Sequence, residues 1–271
     1  MLIPASKSPM LERWFLRYTR GYLQRGLQAV HLFGEAPRFD DDGQTPLVVC
    51  MNHSSWWDVL TGFYVEHELF GWEAYTVMDA RQLERYRFFR RLGVIGVDRS
   101  SIAGAKEFLR YAESLLKGRR RALWITPQGE WVSNHRRPIR FQSGLGHLAS
   151  QLGSFHLARV TFHYEFWNDR LPEAFVFASA VEKIRVGSGG VDRRSFLREQ
   201  EQALESQLDS LLSHVEARDS SVFRPMLRGK GGISPTYDTI RAASAKLKRE
   251  SFAADHGQVI TPRWRGPRRP R

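Results

Sequence analysis

The chain has 271 residues, enough for one large domain or two small ones with a buried core. A hydrophobic content of 42%, with 12% aromatic residues, excludes a largely disordered chain. The net charge of +12 indicates an anionic partner, which could be nucleic acid, anionic lipid or a phosphorylated small molecule. Cys50 is the single cysteine, so an internal disulfide is excluded, and its apolar neighbours predict a buried, inert thiol.

The N-terminal part predicts an amphipathic helix over residues 10–33, with one polar, cationic face and one aromatic, apolar face. The polar face comprises Arg13, Arg17, Arg20, Gln24, Gln28 and His31, and the apolar face comprises Leu11, Trp14, Phe15, Tyr18, Tyr22, Ala29 and Phe33. Such a helix can pack on a core or lie in the plane of an anionic membrane. We expect the membrane because the polar face is cationic. Neither a signal peptide nor a membrane-spanning run of about 18 apolar residues is expected.

Beyond a turn-rich stretch at 34–46, short apolar runs alternate with helical segments. The runs predict strands at 47–51, 74–78, 93–97, 122–125, 156–162 and 174–180, and the other segments predict helices at 54–69, 80–92, 101–117, 141–152 and 192–217. This alternation predicts an α/β fold with a mixed, largely parallel sheet flanked by helices. We predict three parts: the N-terminal helix and linker at 1–45, the main domain at 46–260 and a basic, disordered tail at 261–271.

The stretch NHSSWWD follows the first of these runs directly and presents His53 and Asp58. On a continuous helix five positions rotate by about 500°, so the two side chains would point about 140° apart. They can meet only if His53 precedes the helix and Asp58 lies in its first turn. Asp58 would then hold one imidazole nitrogen and leave the other as a base. Ser55-x-x-Asp58 equally matches a capping box, which requires no catalysis.

Two further polar stretches follow predicted strands. GVIGVDRSS places Arg99 beside serines that can cap a helix, which indicates either an anion site or a solvated Asp98–Arg99 pair. ITPQGEW presents Gln128, Gly129 and Glu130 in a turn where the glycine allows close approach of a ligand to the backbone. Sites in α/β sheets lie beyond the carboxyl ends of strands, so these three stretches form the candidate site.

The stretches NHSSWWD, GVIGVDRSS, TPQGE and FQSGLGHLA, in this order and spacing, resemble the glycerolipid (1-acylglycerol-3-phosphate type) acyltransferase family. The resemblance implies that residues 46–260 form an acyltransferase domain in which His53 is the general base and Asp58 holds its ring. The acceptor-binding residues that it implies are Arg99, Gln128, Gly129 and Glu130. It also implies a lipid acceptor and acyl-CoA or acyl carrier protein as co-substrate, with no metal and no other cofactor.

The third block departs from the family pattern, because it lacks the usual phenylalanine, has Gln128 in place of glutamate and carries its carboxylate at Glu130. This departure leaves the acceptor open, and a non-phospholipid acceptor such as a glycosylated carotenoid is an alternative. A nucleic-acid or membrane-surface binding protein without catalysis is a further alternative, but the basic residues are dispersed and nucleic acid is not expected. We expect a peripheral enzyme on the cytoplasmic face of a membrane with anionic lipids.

Overall fold

The computed structural model describes residues 1–38, 43–186 and 191–230. The strands in this part of the chain are β1 (Leu2–Ile3), β2 (Ala29–Phe33), β3 (Leu47–Met51), β4 (Glu73–Asp79), β5 (Val94–Val97), β6 (Arg121–Ile125), β7 (Ser154–Glu165), β8 (Glu173–Ala178), β9 (Glu182–Arg185) and β10 (Phe223–Arg228). The predicted tail at 261–271 lies outside the described residues, as does the end of the main domain at 260.

The α-helices in the same residues are α1 (Pro9–Gly26), α2 (Trp57–Val65), α3 (Ala80–Arg85), α4 (Ile102–Leu116), α5 (Gly144–Leu152) and α6 (Arg193–Glu216). A π-helical segment, Glu66–Phe70, continues α2, and 3-10 helices span Arg87–Leu92 and Ser220–Val222. The helix predicted over 80–92 is therefore two short helices, α3 and the first 3-10 helix.

One sheet contains all of these strands in the order β1-β5-β4-β6-β3-β7-β8-β2-β10, with β9 paired to β7. Five neighbouring strands, in the sheet order β5, β4, β6, β3 and β7, are parallel to one another. The neighbours β2 and β8 are also parallel. The other pairs are antiparallel. This arrangement confirms the predicted α/β fold with a mixed, largely parallel sheet.

The central strand β3 is buried on both faces, as a parallel strand covered by helices should be. Leu47, Val49 and Met51 enter a core cluster that includes residues of α1 and α2. Val48 and Cys50 enter a second cluster with residues of α4 and α5 on the other face. The continuous apolar sequence of this strand follows from this double burial, and the prediction that Cys50 is buried is confirmed.

The helix predicted over 10–33 is wrong beyond residue 26. α1 ends at Gly26, where an added Cβ would lie only 2.3 Å from the Trp57 ring, and Ala29–Phe33 form β2 between β8 and β10. His31, predicted on the polar helix face, lies instead in the sheet and pairs with Glu173 of β8 at 2.6 Å. Residues 1–45 therefore contribute two strands to the sheet, rather than a helix and a linker alone.

Capping residues define the helices that follow. Ser101 accepts a hydrogen bond from the backbone N–H of Gly104 at the start of α4, and Gly118 follows the end of this helix with a φ of +65°. Asp192 accepts hydrogen bonds from two backbone N–H groups at the start of α6. The bond to Ser101 confirms the prediction that a serine after Arg99 caps a helix.

The carboxyl ends of three parallel strands bring the candidate stretches to one edge of the sheet. The chain leaves β3 toward His53, β5 toward Arg99 and β6 toward residues 126–130. Because β5, β4, β6 and β3 are consecutive parallel neighbours, these exits point the same way.

Candidate active site

His53 and Asp58 form a hydrogen bond at the carboxyl end of β3. His53 lies in the loop after the strand, and Asp58 lies in the first turn of α2. Nδ1 of His53 is 2.9 Å from Oδ2 of Asp58, whose side chain is fully buried. This is the arrangement that the five-residue spacing requires, with the histidine before the helix.

Asp58 also holds the backbone of the loop. Its Oδ2 accepts hydrogen bonds from the backbone N–H of Ser54 at 2.7 Å and of Ser55 at 2.8 Å. The bond from the Ser55 N–H is the carboxylate half of the predicted capping box. The same carboxylate oxygen therefore both caps the helix and bonds the histidine. Charge-assisted hydrogen bonds from two backbone amides keep the carboxylate in one orientation toward the imidazole.

The second ring nitrogen of His53, Nε2, has no hydrogen-bond partner in the described part of the chain. When Nδ1–H is donated to Asp58, the lone pair of the neutral imidazole is on Nε2. The histidine side chain is 14% exposed and lines a cavity of about 140 Å³. Its free nitrogen can therefore act as a base toward a ligand.

The cavity beside His53 is mainly apolar. Residues 74–78 of β4 form one wall, which extends about 13 Å at the usual strand rise of ~3.3 Å per residue. Apolar side chains from α1, α2, β3, β5, β6 and the 3-10 helix after α3 also line it, among them Phe15, Met51, Phe63, Phe89, Leu92, Val94 and Trp124. The lining is therefore suited to an apolar ligand.

Glu66 is a buried acid in the same lining. Its Oε1 accepts from the backbone N–H of Trp72 at 2.7 Å, and its Oε2 accepts from the indole N–H of Trp124 at 2.6 Å. Burial raises the pKa of Glu66 to about 7, although these two hydrogen bonds act in the opposite direction. Glu66 therefore changes its charge near neutral pH beside the cavity.

The loop after β6 contacts the loop that carries His53. The backbone N–H of Val132 donates to the carbonyl of His53 at 2.8 Å. The indole of Trp131, which is 60% exposed, meets the His53 ring edge-on at 5.0 Å between ring centres. Sequence reasoning did not single out Trp131, since TPQGEW reads as a turn and no local pattern places its last residue on the histidine.

Asn52 and Asn134 fix the end of β3. The side chain of Asn52 bonds both the N–H and the C=O of Phe162 on β7, at 2.8 and 2.9 Å, and donates to Oδ1 of Asn134 at 2.7 Å. Both asparagines are buried. These hydrogen bonds fix the point at which the chain leaves β3, and therefore the position of His53. Asn134 is a second residue that sequence reasoning missed.

Arg99 and Gly129, both predicted to bind the acceptor, are in contact. The Arg99 guanidinium donates to the carbonyl of Gly129, and Gly129 has a φ of +79°. A Cβ at this position would lie 2.8 Å from Nη2 of Arg99, so the close contact requires glycine. Asp98 turns instead to the hydroxyl groups of Ser100 and Ser101, which lower its pKa to about 2.

Gln128 and Glu130 occupy different environments on the same loop. Gln128 is 7% exposed, and its side-chain carbonyl oxygen is buried without a hydrogen-bond partner among the described residues. Glu130 is exposed. The structure therefore brings a cation, a buried amide and an exposed carboxylate to the sheet edge that also carries His53.

The fold and the site together describe an α/β enzyme in which a buried carboxylate holds a histidine beside an apolar cavity. The family model of the acyltransferases matches residues 22–162, more than half of the chain, and the chain belongs to the acyltransferase family. Among solved structures, it is similar to the crystal structure of the 1-acyl-sn-glycerophosphate (LPA) acyltransferase PlsC from Thermotoga maritima. That match has 13% sequence identity and a TM-score of 0.48, and covers 78% of this chain and 83% of the other. A comparison with curated proteins finds no significant match.

Proposed function

We propose that this acyltransferase moves a fatty acyl group from an acyl thioester to a hydroxyl of a lysophospholipid or a related lipid. The thioester is either acyl-CoA or an acyl group carried on acyl carrier protein. The observation that carries the proposal is the 2.9 Å bond from His53 to a buried Asp58, on a histidine that lines an apolar cavity. A hydroxyl acceptor needs a base to become a good nucleophile, and an acyl chain needs an apolar site.

The proposed mechanism uses His53 twice. Nε2 takes the proton from the acceptor hydroxyl while the hydroxyl oxygen attacks the thioester carbonyl carbon. The carbon–sulfur bond then breaks, and the imidazolium returns the proton to the departing thiolate. The Asp58 carboxylate stabilises the imidazolium between these two steps and keeps the ring in the required tautomer.

Direct transfer is favoured over an acyl-enzyme on Cys50. This thiol is fully buried in β3, and burial raises its pKa to about 12. The nucleophilic form of a cysteine is the thiolate, which is scarcely populated at neutral pH under these conditions.

The cavity beside His53 is proposed to bind the acyl chain. Its volume of about 140 Å³ is close to the ~150 Å³ of an engineered apolar cavity that binds benzene in another protein. A cavity of this size takes the few carbon atoms next to the thioester. A long chain must therefore widen the cavity or extend from its mouth.

Arg99 and the loop 126–130 are proposed to bind the acceptor. Arg99 is exposed and anchored on the Gly129 carbonyl, so its remaining N–H groups can reach an anionic group of a lipid. Gln128 supplies a neutral amide where the family resemblance has a carboxylate. This difference favours testing acceptors beyond lysophosphatidate, including glycosylated carotenoids.

An acyl-transfer assay tests the proposal. The purified protein is incubated with labelled acyl-CoA or acyl carrier protein and a panel of lysophospholipids and glycosylated carotenoids, and the products are identified by mass spectrometry. His53→Ala should lower the rate by about 10²–10⁴-fold, and Asp58→Asn somewhat less. His147→Ala removes an exposed histidine of α5 and should leave the rate unchanged. Near-normal transfer by a folded His53→Ala protein would refute the mechanism.

We also propose that the enzyme works on the cytoplasmic face of an anionic membrane. α1 exposes Met10, Trp14 and Tyr18, which lie one helical turn apart and are 72%, 54% and 43% exposed. Arg13 and Arg17 are exposed beside them. Aromatic and basic residues on one exposed helix surface are typical of helices that lie in a membrane interface. Within the described ranges, none of the helices has the length and hydropathy to cross a bilayer.

This surface continues to the active site. The ring of Tyr22 on α1 lies 5.9 Å from that of Trp56, which is 53% exposed and belongs to the loop that carries His53. A membrane bound at α1 would therefore lie beside the catalytic histidine, and a lipid acceptor could reach it from the bilayer surface.

A further inference from the structure

Asp58 has a second carboxylate oxygen that the histidine does not use. Oδ2 accepts the hydrogen bonds from His53 and from the two backbone amides of the loop. Oδ1 is buried and has no hydrogen-bond partner in the described residues. A buried carboxylate oxygen without a donor is unfavourable, so its surroundings should contain a group that can serve it.

Two residues on the α2 side of the sheet carry buried hydroxyl groups. Tyr164 is on β7, and Thr61 is on α2, three residues after Asp58 and on the same helix face. Neither hydroxyl has a hydrogen-bond partner in the described part of the chain. Tyr164 packs against the core cluster that contains Leu60 of α2. It lies two residues after Phe162 and on the same face of β7, and the backbone of Phe162 is bonded to Asn52, the neighbour of His53. Burial together with the Asp58 charge raises the pKa of Tyr164 well above its usual value. The phenol therefore keeps its proton and can act only as a neutral donor or acceptor.

We propose that Tyr164 is a positioning residue that donates its hydroxyl hydrogen to Oδ1 of Asp58, with Thr61 donating in turn to the Tyr164 oxygen. The inference rests on the proposed roles of His53 and Asp58. Oδ2 is then held by the loop and the imidazole, and Oδ1 is held by the phenol. A carboxylate held at both oxygens cannot rotate away from Nδ1 when the imidazolium forms.

Tyr164→Phe tests this role because it removes the hydroxyl and keeps the ring that packs against the sheet. It should lower kcat by about tenfold or more and leave the KM of both substrates unchanged, since it changes the base and not the binding groups. Thr61→Val should lower kcat by a smaller factor, and Thr61→Ser should restore it. The double variant Tyr164→Phe/Thr61→Val should be no slower than Tyr164→Phe alone, because Thr61 acts through Tyr164.

Tyr64→Phe is the matched control. Tyr64 is a buried tyrosine on α2. Unlike Tyr164, it has a hydroxyl that donates to the Met226 carbonyl at 3.0 Å. Its removal takes a hydrogen bond from the interior without touching Asp58. It should therefore affect the melting temperature and not kcat, whereas Tyr164→Phe should affect kcat.

The pH profile of kcat/KM separates positioning from packing. Without the donor at Oδ1, the carboxylate attracts the Nδ1 proton more strongly, so the acid limb of the kcat/KM profile should move to higher pH. The other titratable groups that face this pair across the cavity are Glu12 of α1, Glu66 after α2 and Tyr75 of β4. All three are present in both proteins, so the difference between the two profiles reports the loss of the Tyr164 hydroxyl.

Two outcomes distinguish this inference from the proposed function. A folded Tyr164→Phe protein with the wild-type kcat and an unshifted limb, in an enzyme that still requires His53, would overturn the role of Tyr164 alone. Full activity of His53→Ala would overturn the proposed function, and with it the role assigned to Tyr164.

Discussion

Gly129→Ala tests whether Arg99 binds the acceptor from its position on the loop. Gly129 has a φ of +79°, so an alanine adds left-handed strain of about 1–2 kcal/mol and should lower the melting temperature by about 2–8 °C. The new Cβ would lie 2.8 Å from Nη2 of Arg99 and 2.9 Å from Cγ of Gln142. Both neighbours belong to flexible side chains, so they should move rather than unfold the loop. A displaced guanidinium loses a charge-assisted hydrogen bond worth about 1.5–3 kcal/mol, which should raise the acceptor KM roughly ten- to a hundredfold.

Gly118→Ala is the matched control for the backbone strain. Gly118 has a φ of +65°, and no atom lies within 4 Å of an added Cβ. Both glycine variants should lose similar stability in thermal melts, but only Gly129→Ala should raise the acceptor KM, with the donor KM unchanged. Arg99→Ala should raise it as much, and the double variant no further. Equal acceptor KM values in Gly118→Ala and Gly129→Ala would refute the reasoning.

Three further predictions concern the membrane surface, the cysteine and the buried acid. Trp14→Glu and Arg17→Glu should each weaken sedimentation with anionic vesicles, whereas Lys117→Glu, with the same charge change as Arg17→Glu on a residue beyond α4, should not; unchanged binding in the first two would contradict membrane docking. Cys50→Ala should keep acyl transfer within about threefold, because no thiolate is used, and a folded but inactive variant would argue for an acyl-enzyme. Glu66 has a folded pKa of about 7, above its ordinary value of 4.5, so its stabilising contribution is complete below pH 4.5 and lost as the pH rises to about 7. In urea unfolding, the free energy of unfolding of Glu66→Gln should fall by about 3 kcal/mol less than that of the wild type between pH 4.5 and pH 7. The same pH dependence in both proteins would contradict the raised pKa.

The sequence by itself determined the features that depend on local interactions. Continuous apolar runs such as Leu47–Met51 predict strands buried on both faces, and their alternation with helical segments predicts the fold class. The contact between His53 and Asp58 spans five residues, and helix geometry restricts how it can form. The cap of α4 by Ser101 is equally local. In the last two cases the interacting groups lie within five residues of each other, so local backbone geometry restricts how they can meet.

The tertiary structure decided the features that depend on strand order. Ala29–Phe33 is a strand and not the end of a helix, because β8 and β10 supply hydrogen bonds from far along the chain. Trp131, Asn134 and Tyr164 join the site for the same reason. They follow β6 or end β7, and the sheet places the ends of those strands beside the end of β3. Hydrophobic periodicity identifies a strand but carries no information about its neighbours, so these contacts arise only when the sheet forms.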